Sequence, residues 1–231
     1  MSIILQVESL SKSYPSGRKK LQVLENISFE LEEGKTMSIV GPSGSGKTTL
    51  LGLCAGLDKI DDGSVQINGL NLTGMNEDAL ADLRNEQVGF IFQNFQLIPT
   101  LTAIENIMVP MELKRHPNPQ KKALELLEQV GLADRGDHYP AQLSGGEQQR
   151  IAIARAFSND PHILFADEPT GNLDDETGAI IEELIFELNK SMNTALVIVT
   201  HDIELANKTD NVIRLKGGKI LTNDILTKTS V

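Results

Sequence analysis

Gly41-Pro42-Ser43-Gly44-Ser45-Gly46-Lys47-Thr48 has the G-x-x-x-x-G-K-[ST] spacing of a phosphate-binding loop. Glycines let successive backbone N–H groups curl inward onto a phosphate, and the N-terminus of a following helix adds its positive dipole end. Lys47 is expected to set a point charge on the β- and γ-phosphates, and the Thr48 hydroxyl to ligate Mg²⁺; Thr49 follows at the helix start and is counted with the loop. At Asp167-Glu168 two adjacent carboxylates can divide the labour of phosphoryl transfer. Asp167 is expected to hold Mg²⁺ through water, and Glu168 to orient and deprotonate an attacking water. In Leu143-Ser144-Gly145-Gly146-Glu147, Ser144 and Glu147 form an S-x-x-E capping box, which alone describes a well-capped helix. Two glycines inside the cap are poor helix formers that bare their N–H groups, so a second phosphate-binding helix terminus is expected. The residues leave open whether it serves the same nucleotide or one on another subunit.

Isolated polar residues complete the set. The Gln93 amide can reach Mg²⁺ or the attacking water, and His201 can donate a hydrogen bond to the γ-phosphate. Tyr14, one of two tyrosines, stands beside a turn, where its ring can stack on adenine or simply pack. His116, His138 and His162 have no comparable setting, and no His/Cys/Asp spacing suggests a structural metal. Cys54, among Leu53, Ala55 and Leu57, reads as a packed, inert thiol.

The elements that must position these groups are legible as patterns. Thr36–Val40 reads as a buried strand before the phosphate loop, and Thr49–Leu53 as the first turns of a helix after it. Residues 3–10 and 21–32 read as antiparallel strands joined by the turn Pro15–Lys20, and Ser64–Ile67 as a short strand between turn signals. Residues 76–86 read as a helix and 88–92 as a strand ending at Gln93. Residues 94–158 lack strand patterns and show helices near 102–114, 120–130 and 147–158, an α-helical insertion in an α/β core. The apolar runs 162–166 and 195–200 read as buried parallel strands, and 212–221 as a hairpin turning at Gly217-Gly218. Between the two runs a helix is expected to present Ile180, Ile181, Leu184, Ile185 and Leu188 on one face. Because several strands finish in polar residues, these groups are expected to converge beyond the carboxyl ends of one sheet.

The 231 residues suit one sizeable α/β domain, with 40% hydrophobic and 23% charged residues, an ordinary globular balance. A net charge of −11 disfavours nonspecific binding to nucleic acid or an anionic bilayer. A single cysteine excludes an internal disulfide framework and fits a reducing compartment. No apolar run approaches the ~20 residues of a membrane span, and Met1–Gln6 lacks a basic leader region, so a soluble cytoplasmic chain is expected.

With these residues placed, the chain resembles the ATP-binding cassette (ABC) ATPases from about residue 3 to 222. Gly41 to Thr48 looks like their Walker A motif, Tyr14 the A-loop, Gln93 the Q-loop, and Leu143 to Glu147 the signature. Ile163 to Glu168 looks like Walker B with its catalytic Glu, Gly171-Asn172-Leu173-Asp174 the D-loop, and His201 the switch histidine. The resemblance implies an α/β fold: an ABC-type P-loop NTPase core, about 1–92 and 160–231, with an N-terminal antiparallel β-subdomain and an inserted α-helical subdomain, about 93–159. It implies ATP and Mg²⁺ as ligands, and a head-to-tail homodimer in which the signature of one subunit closes on ATP held by the other.

Gly171-Asn172-Leu173-Asp174 departs from the Ser-Ala-Leu-Asp common in the superfamily. With Phe92 to Pro99 and Leu101 to Asn106, it is similar to the lipoprotein-release (LolD-like), macrolide-efflux (MacB-like) and YbbA-like group, and Phe165 to Thr170 and Ala141-Gln142-Leu143 look closest to the YbbA-like branch. That group implies permease subunits with extracytoplasmic domains on separate chains, hence a peripheral position at the inner face of the cell membrane, and ATP coupled to mechanical motion. ATPases of cell-division or antimicrobial-peptide-resistance complexes carry most of the same motifs. Among non-transport ABC proteins, the DNA-repair and chromosome-structure type inserts long coiled coils, whereas Lys47 and Ser144 are only 97 residues apart, and translation factors carry two cassettes. With termination soon after residue 222, no appended regulatory domain is expected. Phe95, Leu97, Ile98 and Leu101 either line a groove for a permease's coupling helix or form subdomain core; both readings stay open.

Overall fold

The computed structural model describes residues 2–17 and 19–221; Arg18 of the expected Pro15–Lys20 turn and the expected limit of the resemblance at residue 222 lie outside the described residues. In chain order the elements are β1 (Ile3–Ser16), β2 (Lys19–Glu32), β3 (Thr36–Val40), α1 (Lys47–Cys54), β4 (Asp62–Ile67), β5 (Leu70–Asn71), α2 (Glu77–Gln87) and β6 (Val88–Ile91). Then follow α3 (Ala103–Leu113), α4 (Pro119–Gln129), α5 (Gly145–Phe157), β7 (Ile163–Asp167), α6 (Asp175–Met192), β8 (Ala195–Val199), α7 (Ile203–Lys208), β9 (Asn211–Lys216) and β10 (Lys219–Ile220). They form two compact units, residues up to 84 with those from 195 on, and residues 85–194.

In the first unit β1 pairs antiparallel with both β2 and β4, and β5 extends the sheet from β4. Its inward residues Leu5, Val7, Leu10, Leu24, Ile27, Leu31, Val65 and Ile67 are buried, which fixes the register through their alternation. β3 is buried at all five positions and runs parallel to β8 on one side and β9 on the other, the setting in which a strand reads as a continuous apolar run. Asp210 accepts hydrogen bonds from the Thr36 N–H and hydroxyl, both at 2.9 Å, and so anchors the start of β3. The expected C-terminal hairpin is β9 and β10.

In the second unit β6 and β7 pair in parallel, Val88 opposite Ile163 and Ile91 opposite Ala166. α5 lies so close to β6 that a Cβ at Gly89 would overlap the Ala156 carbonyl. α3 packs on both α4 and α5, burying Ile107, Met111, Leu126, Leu127, Ile151 and Phe157.

Three expectations are corrected. α5 begins at Gly145 rather than 147, because Ser144 is the N-cap and draws both glycines into the first turn. α1 begins at Lys47, directly on the loop. Ile180 is 53% exposed and Leu184 only half-buried, so the buried stripe of α6 is Gly178, Ile181, Glu182, Ile185, Leu188 and Asn189.

Candidate functional site

In the first unit, β3 delivers the chain to the phosphate loop and α1 leaves it. Gly46 caps α1 at φ 100°, a conformation a side chain adopts only under strain, and no side chain caps the helix. A Cβ there would also stand 2.8 Å from Leu24 Cδ2 and 3.0 Å from the Val23 carbonyl. The first turn of α1 has no acidic residue, so its dipole faces an anion unopposed. Lys47 Nζ lies back over the loop, donating to the carbonyls of Gly41 at 2.9 Å and Pro42 at 3.4 Å. The Ser45 hydroxyl is buried without a partner. A bare helix terminus, a folded-back ammonium and an orphaned hydroxyl fit a phosphate chain.

Tyr14 belongs to the same unit. Its hydroxyl donates to Asp58 and meets the Thr49 side chain, and Lys12 Nζ stands 4.9 Å from its ring centroid. Burial, then the bond to Asp58, pushes the Tyr14 pKa up to about 12. Lys12, 5% exposed, pairs with Asp58 at 3.2 Å and Asp61 at 3.4 Å. Burial acts to raise the Asp58 pKa, but hydrogen bonds from Tyr14, the Lys59 N–H and Lys12 outweigh it and hold the carboxyl below its ordinary value. The network was missed in the sequence; its one signal was a lysine at an inward position of β1, two residues from buried Leu10. Exposed His201 follows β8 in this unit, just ahead of Asp202, which caps α7 through the Glu204 N–H at 2.7 Å. Cys54 is fully buried, which raises its thiol pKa and matches an inert role.

The second unit holds Gln93, Asp167, Glu168 and Ser144 to Glu147. Glu168 follows β7 at φ 47°, a left-handed conformation costing roughly 1–3 kcal/mol in a residue with a side chain. Its carbonyl accepts the Gly171 N–H at 3.0 Å, and the next carbonyl, Pro169, accepts the buried Gln149 Nε2 at 2.6 Å. Gln149 is wholly buried, with Oε1 unpartnered. It too was missed, although a glutamine on the helix face of Ala152, Ile153 and Ala156 was the readable signal. At the other end of α5, Arg155 donates to the carbonyls of Gln96 at 2.6 Å and Phe95 at 2.8 Å. Those residues have φ of 53° and 57°, so the segment after Gln93 is held in strained form by the helix that begins at Ser144.

Ser144 Oγ accepts the Glu147 N–H at 3.3 Å, and Glu147 accepts the Ser144 N–H at 2.8 Å and Arg135 Nε at 3.0 Å. The Ser144 N–H first, then Arg135, lowers the Glu147 pKa to about 2. Ser144, Gly145 and Gly146 open on a cavity of ≈ 340 Å³ whose other walls include Asn172, Leu173 and Asp174, all within the second unit. Phe95, Leu97 and Leu101 are half-buried and Ile98 is 40% exposed, so none of the four is core. Among the described residues no helix is long and apolar enough to cross a membrane, and no three His, Cys, Asp or Glu are grouped to hold a metal.

Residues 24–171 match the family described as ABC transporter. The ABC transporter ATP-binding protein YbbA of Escherichia coli K12 is 49% identical over 219 residues, covering 94% of this chain and 96% of that protein. The lipoprotein-releasing system ATP-binding protein LolD of Legionella pneumophila strain Lens is 46% identical over 224 residues, covering 96% and 99%. Among solved structures, the dimeric ATP-binding cassette MJ0796 in a post-hydrolysis state with ADP and Pi superposes with a TM-score of 0.87 at 40% identity, covering 94% of this chain and 96% of that one.

Proposed function

The chain belongs to the ABC transporter family as an ATP-binding subunit and ATPase similar to LolD and YbbA, and from that premise we propose that it works as a head-to-tail homodimer driving a separate membrane permease. The observation that carries the dimer is the cavity at Ser144, Gly145 and Gly146, whose lining comes wholly from the second unit. The signature terminus thus opens onto a space to be filled by another molecule, and a nucleotide seated on a partner's phosphate loop has the chemistry to fill it. The dimeric solved cassette supports the same reading.

In this reading Lys47 and the loop Gly41 to Thr49 hold the triphosphate, through every backbone N–H but that of Pro42, which has none, and Tyr14 stacks on the base. Thr48, Asp167 and Gln93 are the groups that would hold Mg²⁺. Hydroxyl, carboxylate and amide oxygens suit that hard cation, with phosphate and water completing its shell. Bound there, Mg²⁺ neutralises charge developing on the phosphates. Glu168 takes the proton of the attacking water and His201 donates to the γ-phosphate. The half-exposed apolar group Phe95, Leu97, Ile98 and Leu101 supports a permease contact of the lipoprotein-release type, which would place the subunit at the cytoplasmic face of the membrane.

Glu168→Gln should retain ATP binding, lower turnover about 10²–10⁴-fold and accumulate a dimer with MgATP but not with MgADP. Sedimentation velocity checks this; a persistent monomer at high concentration with ATP would overturn the shared-site reading.

A further inference from the structure

The departure at Gly171-Asn172 from the common Ser-Ala pair has a direct structural correlate. Asn172 Nδ2 donates to the Gln93 carbonyl at 2.9 Å and to Asn94 Oδ1 at 2.8 Å, while Gln93 Nε2 reaches Asn172 Oδ1 at 3.5 Å. The first two bonds clasp the backbone just beyond β6; the third, at the outer limit of hydrogen bonding, steers the side-chain amide. Alanine at 172 could make none of them. Gly171 supplies the space: a Cβ there would lie 3.0 Å from Gln93 Nε2, so a serine would crowd the amide while standing in ordinary contact with Glu168 Cβ at 3.4 Å. The two departures therefore act as a pair, one opening room for the Gln93 amide and the other clasping the backbone that carries it.

We propose that Asn172 is a positioning residue for Gln93, tying the amide expected at Mg²⁺ and the attacking water to the loop that follows Glu168. The proposal rests on the role given to Gln93 above. The loop is held at both ends, by the Gly171 N–H on the Glu168 carbonyl at 3.0 Å and by Asp174, which accepts the Thr177 N–H at 2.9 Å as the cap of α6. Asn172 thus presents its amide from a fixed backbone. Gln93, Asn94 and Asn172 are all exposed, so water competes for each bond and the effect is graded rather than total.

Steady-state ATP turnover at saturating MgATP, measured for the full chain, tests this with Asn172→Ala, the isosteric Asn172→Asp, Gln93→Ala and the double variant N172A/Q93A. Asn172→Asp keeps the shape but cannot donate to the Gln93 carbonyl. Both single changes at 172 should lower kcat about 3- to 10-fold and leave KM for ATP within about 2-fold, the scale of one or two exposed hydrogen bonds. In the Gln93→Ala background, Asn172→Ala should cost nothing further. Equal losses in both backgrounds, or undiminished kcat in N172A beside a slow Q93A, would overturn the proposal alone. Wild-type turnover in Q93A would overturn the reading of Gln93 and the proposal with it.

Discussion

Two helix N-termini among the described residues are proposed above to meet phosphate, and they are built in opposite ways. α1 starts from a left-handed glycine with no side-chain cap and no acid in its first turn. α5 starts from Ser144 with a complete capping box, and its first turn carries Glu147. With no side-chain cap and no acid at its start, α1 presents its dipole to an incoming anion unopposed, so that terminus stabilises a bound anion at full dipole strength. At α5 two backbone donors are already satisfied, the Glu147 N–H by Ser144 Oγ and the Ser144 N–H by the Glu147 carboxylate, whose charge partly offsets the dipole of that turn. On the reading proposed above, α1 can hold ATP alone, whereas α5 adds contacts to a nucleotide another subunit already holds. A strong site and a weak one make association depend on nucleotide; two strong ones would each sequester their own.

Lys47→Ala is the largest test of that contrast. Removing the Lys47 ammonium over the loop should weaken ATP binding to the monomer about 10- to 100-fold, the worth of charge-assisted hydrogen bonds to phosphate, as measured by calorimetry. Ser144→Ala should leave monomer affinity for ATP unchanged. It should cost about 1 kcal/mol of stability through the lost cap and lower turnover where dimerisation limits it. Denaturant midpoints and ATP titrations on the same sample separate the two effects. A loss of monomer ATP affinity in Ser144→Ala comparable to that in Lys47→Ala would erase the distinction between the termini.

Much of this architecture was readable because local chemistry dictates it. The phosphate loop is legible since only glycine tolerates Gly46's φ and crowding, and β3 and β8 are legible since strands covered on both faces must be apolar throughout. Ile180 misled because it adjoins Ile181; a 100° step along α6 carries it off the buried stripe, and periodicity blurs neighbours on a helix. The long-range contacts were not readable at all. Tyr14 finds Asp58 across 44 residues and Asn172 finds Gln93 across 79, pairings that only the fold creates. Even the helix start at Gly145 needed the competition decided: the capping box satisfies two donors, the Glu147 N–H and the Ser144 N–H, and together they offset the poor propensity of two glycines.

Glu147 gives the smallest and most specific test of the α5 terminus. Its pKa is lowered from 4.5 to about 2 by the Ser144 N–H and then Arg135, so the folded state favours the carboxylate. The sign follows: the stabilisation is fully present above about pH 4.5, where the carboxyl is ionised in the unfolded chain too, and is lost as pH falls toward about 2. Glu147→Gln keeps an oxygen to accept the Ser144 N–H but removes the charge, so stability at pH 7 should drop by only about 0.5 kcal/mol, the scale of a charge in a helix's first turn. The difference between wild type and Glu147→Gln should shrink between pH 4.5 and pH 2 in denaturant titrations. Because a negative charge in the first turn offsets the dipole that favours an anion there, the same variant should dimerise with ATP at equal or lower protein concentration than its parent, despite being less stable. A variant that is less stable and also dimerises less readily would show Glu147 contributing to nucleotide contact, and the two termini would then differ in strength but not in kind.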